Sequence, residues 1–266
     1  MTDALLWGEF AIRMAGTAFV VIAISWIAVR MGPTIGGVIV GLPIVLAPGF
    51  GFMLLDHSPV FVADAAAGAL FSLSATQVFL LVFVALAGRS GVLHSVAGAG
   101  LGWLACALPL GMIPHPPLLG ALLFAAVTLV AKRIGRRWVT ARDAKAARTN
   151  WGLLILRGLL AGLLVGAVTL GAPYLGAGLS GAIMAFPIGF TVIAISLHLD
   201  HGGTFAGQTA YSGLTGLASL ATFCLSLALL LAALPAGPAF VLALAASILA
   251  TVVMTLMAGR ARARQA

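Results

Sequence analysis

Residues 37–61 read GVIVGLPIVLAPGFGFMLLDHSPVF, and residues 181–205, 144 positions later, read GAIMAFPIGFTVIAISLHLDHGGTF. The two stretches share Gly37/Gly181, Ile39/Ile183, Pro43-Ile44/Pro187-Ile188, Leu55-Asp56-His57/Leu199-Asp200-His201 and Phe61/Phe205. The same offset sets Trp7-Gly8 on Trp151-Gly152, Arg13 on Arg157, Gly32 on Gly176 and Phe79 on Phe223. Over residues 7–86 there are 21 identities, roughly a quarter, where this composition alone gives on the order of a tenth. Trp, Arg, Asp and His are scarce in this chain, and they carry the match. A duplication is therefore expected.

What is duplicated is apolar. The 266 residues are 62% hydrophobic and 8% charged, with mean hydropathy +1.18. A soluble domain carries about 25% charged residues, so this chain cannot clothe a globule in polar surface. Its apolar runs are continuous and helix-length, which excludes a membrane β-barrel. The expected fold is an all-α polytopic membrane protein. Nine crossings are expected, near 8–30, 34–55, 60–88, 91–113, 117–132, 151–172, 177–198, 204–234 and 237–258, against about 20 residues each. The third and eighth are long and must tilt, bend or include an interfacial turn. Residues 10–30 lack the features of a removed signal and read as a retained first span.

The net charge of +8 sits mostly in two clusters, Lys132–Arg148 and Arg260–Arg264, each after an apolar run. That placement is the positive-inside pattern of cytoplasmic loops, and no nucleic-acid partner is expected. With both clusters inside, Arg30 and Arg89 also fall inside. Asp56, His57 and His115 fall outside, as does the N-terminus, while the C-terminus is cytoplasmic. Five crossings then separate the starts of the two copies, so the copies have opposite orientation. The expected plan is membrane repeat 1 (1–113), a linking helix and basic loop (114–150) and inverted repeat 2 (151–266), in a bacterial inner membrane. Inverted repeats of this type recur in secondary transporters.

Pro43 and Pro187 fall inside the second and seventh spans, where a proline removes a backbone hydrogen bond and clashes with the preceding turn. In hydrocarbon such breaks survive only against protein or a water-filled cavity. A pair of broken helices lining a central site is expected, with Pro48, Gly49 and Gly51 extending the first break. Asp64, paired by the repeat with Gln208, is a carboxylate in an apolar span and a candidate for proton coupling. Gln77, His94 and Tyr211 are further candidates for substrate contact. Asp56-His57 and Asp200-His201 are candidate gates at opposite faces. Arg13 and Arg157 are expected to snorkel to opposite interfaces, Arg13 pairing with Glu9, or to pair with anions or carboxylates, and they join the Asp-His pairs as gate candidates. Gly158, Gly162 and Gly166, like Gly98 and Gly102, are spaced for close helix packing.

The expectation is a proton-coupled carrier of a small solute, using alternating access and no cofactor or metal. Membrane lipids, the solute and a second copy of the chain are its expected partners. A lipid head-group flippase on the same scaffold is the alternative. The GLSG string at 178–181, with His198 and His201 downstream, raises an intramembrane serine hydrolase. However, Ser180 falls on Gly36 in the repeat, and its histidines are about 27 Å along the same helix at 1.5 Å per residue. No enzyme activity is expected. Cys106 and Cys224 read as small core residues.

Overall fold

The computed structural model describes residues 3–30, 42–139 and 151–263. Gly32, Gly37 and Ile39, most of the basic loop and Arg264 lie outside these residues. The described residues form nine α-helices and no strand. They are α1 (Asp3–Arg30), α2 (Leu46–Asp56), α3 (Pro59–Ala87), α4 (Val92–Gly111) and α5 (Pro117–Gly135). After the basic loop come α6 (Trp151–Met184), α7 (Ile188–His201), α8 (Gly203–Leu230) and α9 (Ala236–Ala263). Six of the described stretches are long and apolar enough to cross a bilayer, the longest being Trp151–His201. Leu93, Leu101, Leu118, Leu122 and Leu249 point outward. Such a surface suits lipid, and the chain is an all-α polytopic membrane protein.

α3 is the centre of the bundle. Every residue from Ala65 to Gln77 is buried, on all sides of the helix, as expected of a span surrounded by other spans. Its start is set by Ser58, whose hydroxyl accepts from the Phe61 N–H, and by Pro59 at the first helical position. The long third and eighth spans are each one uninterrupted helix, of 29 and 28 residues. Pro48 sits in the first turn of α2, where its missing N–H was not needed, so the first break ends at Leu46. Gly176 (φ 74°) interrupts α6, and Gly202 (φ 84°) separates α7 from α8. Both adopt a backbone conformation that L side chains resist.

Equivalent helices start 144 residues apart: Pro59 and Gly203 open α3 and α8, and Val92 and Ala236 open α4 and α9. Two equivalent pairs, α1 with α6 and α3 with α8, also pack against each other, running in opposite directions. Gly158 meets Ala18 and Ile22, Gly162 meets Met14, and Gly166 meets Phe10, so α6 climbs as α1 descends. Gly203 meets Ala87, and Gly207 meets Ala87 and Val84, so α8 is antiparallel to α3. Gly98 and Gly102 pack against Leu86, Val82 and Val78 of α3. Both glycine ladders thus bring helices together within the chain.

Hydroxyl groups tie several of these helices together. Ser219 on α8 and Ser247 on α9 each donate to the other's carbonyl (3.0 Å), with their hydroxyl oxygens 2.8 Å apart. Thr251 adds a bond to Ser219 Oγ at 2.6 Å. In a bilayer these neutral bonds contribute on the order of 0.6 kcal/mol each.

A Cβ at Gly162 would collide with the Met14 carbonyl, whereas one at Gly100 would meet nothing within 4 Å. Gly162→Leu is expected to destabilise the protein by about 1–3 kcal/mol. Gly100→Ala should leave stability unchanged or slightly raised. Thermal unfolding in detergent measures both.

Candidate functional site

The break at Pro187 leaves carbonyls behind, and α3 supplies their partners. Ser72 Oγ donates to the Ala182 carbonyl at 2.8 Å and Thr76 Oγ1 to the Ala185 carbonyl at 3.0 Å, all buried. Phe186 O accepts from the Ile188 N–H at 2.8 Å. The polar strip on α3 therefore has a structural purpose: it holds the end of α6 where the helix cannot continue. The non-helical residues 42–45 around Pro43, which lead into α2, lie alongside. Gly49 receives the Met184 side chain, and Ile44 packs with Val21 and Ala161. Both prolines are buried.

Between the two breaks lies a cavity of about 350 Å³. Leu42, Ile44, Val45 and Leu46 line it from one break, and Met184, Ala185, Phe186, Gly189 and Phe190 from the other. Leu80 of α3 and a face of α8 that includes Thr209, Ser212, Gly213, Gly216 and Leu220 close it. In the repeat, Gly216 and Leu220 are the counterparts of Ser72 and Thr76. Where α3 carries hydroxyls that fasten the α6 end, α8 presents small and apolar groups to open space. Tyr211, on the same stretch of α8, donates to the Lys132 carbonyl at 3.0 Å. This end of the bundle is therefore the end that carries the basic residues closing α5.

Arg157 is the one charged residue lining the cavity. Its guanidinium lies against Gly189, where a Cβ would be 3.1 Å from Nη2, and its Nε is buried without a hydrogen-bond partner. Sequence alone suggested a snorkelling side chain. Instead Arg157 turns inward, because α7 begins beside it and leaves room there. Its counterpart Arg13 behaves differently. Arg13 is 8% exposed and lies 2.5 Å from Asp56 Oδ2 and 3.4 Å from Glu9 Oε2. The Glu9 pairing follows from the i,i+4 spacing. The Asp56 pairing does not, since it needs α1 and α2 side by side.

Among the described residues Asp200 makes no equivalent pair. It is exposed and accepts from Ser196 Oγ at 3.2 Å. Gly189 and Asp200 are 11 positions apart on α7, about 16 Å at 1.5 Å per residue. α1 thus meets the far end of α2 at Arg13, while α6 meets the near end of α7 at Arg157. The two histidines remain alike: His57 stacks on Phe61 (4.4 Å) and His201 packs on Phe205 (4.9 Å). Because α3 and α8 are antiparallel, the two Asp-His pairs occupy opposite ends of the bundle.

The remaining candidates lie outside the cavity wall. Asp64 is exposed, one turn into α3, and His94 is exposed in the first turn of α4. Gln77 is buried and donates to the Phe124 carbonyl at 3.2 Å. Gln208 is half-buried beside Thr209 of the wall. Ser180 is buried and its Oγ has no hydrogen-bond partner, so no histidine stands ready to take its proton. Gly189 and Phe190 were not legible as site residues. Nothing in their types marks them, and only the start of α7 beside Arg157 gives them a role.

No protein-family model matches the chain, and neither a curated protein nor a solved structure matches it.

Asp56→Asn removes the carboxylate from a buried guanidinium. The cost is expected to be roughly 1–3 kcal/mol, kept modest by the partial exposure of Asp56. Asp200→Asn should cost nothing measurable. Thermal unfolding of the two variants in the same detergent makes the comparison.

Proposed function

We propose that the chain is a secondary transporter that moves a small solute across a bacterial inner membrane by alternating access. Its scaffold is two inverted repeats of four crossings each, joined by α5. In this reading α6 crosses as far as Gly176. The chain then returns through residues 177–201 as one broken span, the counterpart of the span that ends in α2. Equal helix spacing and the antiparallel packing of α1 on α6 and α3 on α8 support the inversion.

One observation carries the transport reading: counterpart arginines stand in different settings. Arg13 is locked to Asp56, and Arg157 is open to a cavity with Asp200 distant. Carriers built from inverted repeats reach their two states by exchanging the conformations of the halves. The basic residues at the end of α5 support, by the positive-inside rule, a cavity that opens to the cytoplasmic half. The N-terminus is then outside and the Arg13–Asp56 pair closes the outer side. In the opposite state α7 slides past α6 until Arg157 reaches Asp200, while Arg13 leaves Asp56. Energy comes from a proton gradient, with Asp64, at the Asp56 end of α3, as the coupling carboxylate.

Ser58 and Thr204 are exposed at the starts of α3 and α8. In a cysteine-free background, Ser58→Cys is expected to react with an impermeant maleimide from outside and Thr204→Cys only from inside. Gly216→Cys should react from inside, and adding Asp56→Asn should shift its reactivity toward the outside. Labelling of Ser58→Cys and Thr204→Cys from one side would end the inverted model. Unchanged labelling of Gly216→Cys would end the gating role of Arg13–Asp56. Transport in proteoliposomes is expected to lose its pH-gradient dependence in Asp64→Asn.

A further inference from the structure

We propose that the cavity is a binding site for a small organic anion, a carboxylate on a compact apolar body. Arg157 and the free backbone N–H groups at the start of α7 would hold its charged end. The inference rests on the carrier reading only for the anion's being cargo; binding itself is measurable without transport.

Two positive features meet at one point of the wall. The first is the Arg157 guanidinium, with Nε buried and unpartnered. The ion pairs among the described residues belong to Arg13, so no described carboxylate neutralises Arg157. The second is the N-terminus of α7, which no side chain caps. Ile188 N–H bonds to Phe186 O and Thr191 N–H to Pro187 O, which leaves Gly189 and Phe190 N–H without acceptors among the described residues. A helix start carries roughly half a positive charge and binds anions through such groups. Gly189 belongs to both features, since its missing Cβ is what lets the guanidinium approach within 3.1 Å of that position. Side by side they repel each other, and a bound anion removes both the repulsion and the unmet donors.

The rest of the wall defines the body of the ligand. Leu, Ile, Val, Met, Phe and Ala dominate it. The hydroxyls of Thr209 and Ser212 already donate to the carbonyls of Phe205 and Gln208, so they offer few donors to a ligand. A polyhydroxylated or dianionic solute would lose hydrogen bonds on entry. At about 350 Å³ the space is near the lower end for ligand pockets, roughly 300–1,000 Å³, and suits a single short body.

The test is titration calorimetry and thermal shift on purified protein in neutral detergent. Hexanoate and phenylacetate are compared with hexanamide and phenylacetamide, which keep the body and lose the charge. Saturable binding of the acids, without binding of the amides, is expected. Arg157→Gln should weaken the acids by roughly tenfold or more, and Arg157→Lys, which lacks the planar fork, by less. A Cβ at Gly216 meets nothing within 4 Å, so Gly216→Leu should fold and fill the cavity, and it keeps the test decisive if Arg157→Gln does not fold. It should weaken the acids without lowering the ligand-free melting temperature.

Equal binding of amides, or full affinity in Arg157→Gln or Gly216→Leu, would overturn the assignment. Displacement of hexanoate in phosphatidylglycerol nanodiscs, but not in phosphatidylcholine ones, would transfer the site to a lipid headgroup and overturn the solute. Acid-specific binding together with one-sided cysteine labelling leaves the anion site and removes the carrier. Absent binding with exchanging labelling does the reverse.

Discussion

A helix in hydrocarbon must satisfy its own backbone, and a proline in it leaves groups that something else must meet. The structure depends on how that obligation is met at Pro187. On the carbonyl side the answer is complete. Ser72 and Thr76 reach from α3 to Ala182 and Ala185, which anchors the end of α6 to the centre of the bundle. On the N–H side it is incomplete: Gly189 and Phe190, which line the cavity, open α7 with N–H groups that have no acceptor among the described residues. One proline therefore produces both a fixed point and an unfilled demand, one residue type apart.

The glycines give this arrangement its dimensions. Gly158, Gly162 and Gly166 bring α6 against the backbone of α1, and Gly203 and Gly207 bring α8 against α3. Such contacts keep the equivalent helices close and antiparallel, so the two breaks touch through Gly49 and Met184. Without these close approaches there would be a wider gap and no defined cavity.

Much of this was legible in the sequence. The offset of 144 anticipated equivalent helix starts, and scarce Trp, Arg, Asp and His residues revealed it against an Ala/Leu/Gly background. Pro187 identified the end of α6, whereas Pro109 and Pro173 are accommodated inside α4 and α6 and Pro48 in the first turn of α2, so a proline alone does not fix where a helix stops. The ends of α3, α4, α5, α8 and α9 lie near the expected spans, whereas the expected sixth and seventh spans fall in one apolar stretch, Trp151–His201, with an interruption at Gly176 and the end of α6 only at Met184. The site was less legible. Asp64, His94 and Gln77 stand out because polar residues are rare in spans, yet rarity says nothing of the direction in which a side chain points. From its sequence position Arg157 suits an interfacial anchor, an anion or carboxylate partner or a gate equally, and snorkelling is the usual outcome for a lone arginine. Its inward turn depends on where α7 begins, and that is a tertiary fact. The unlike settings of Arg13 and Arg157 could not be read at all, because identical residues at equivalent positions predict identical surroundings.

The Ser219–Ser247–Thr251 cluster has a mechanical meaning. Hydroxyl-to-carbonyl bonds have preferred directions, so α8 and α9 are indexed to each other and must break bonds to slip. The side-chain bonds of α7, from Thr191 to Pro187 and from Ser196 to Asp200, stay within the helix. Its hold on its neighbours is mainly dispersion, which has no angular preference although it falls off within about an ångström. Among the described residues, the bundle thus combines a pair of helices indexed by directional bonds with one helix whose side-chain bonds index it to none of its neighbours.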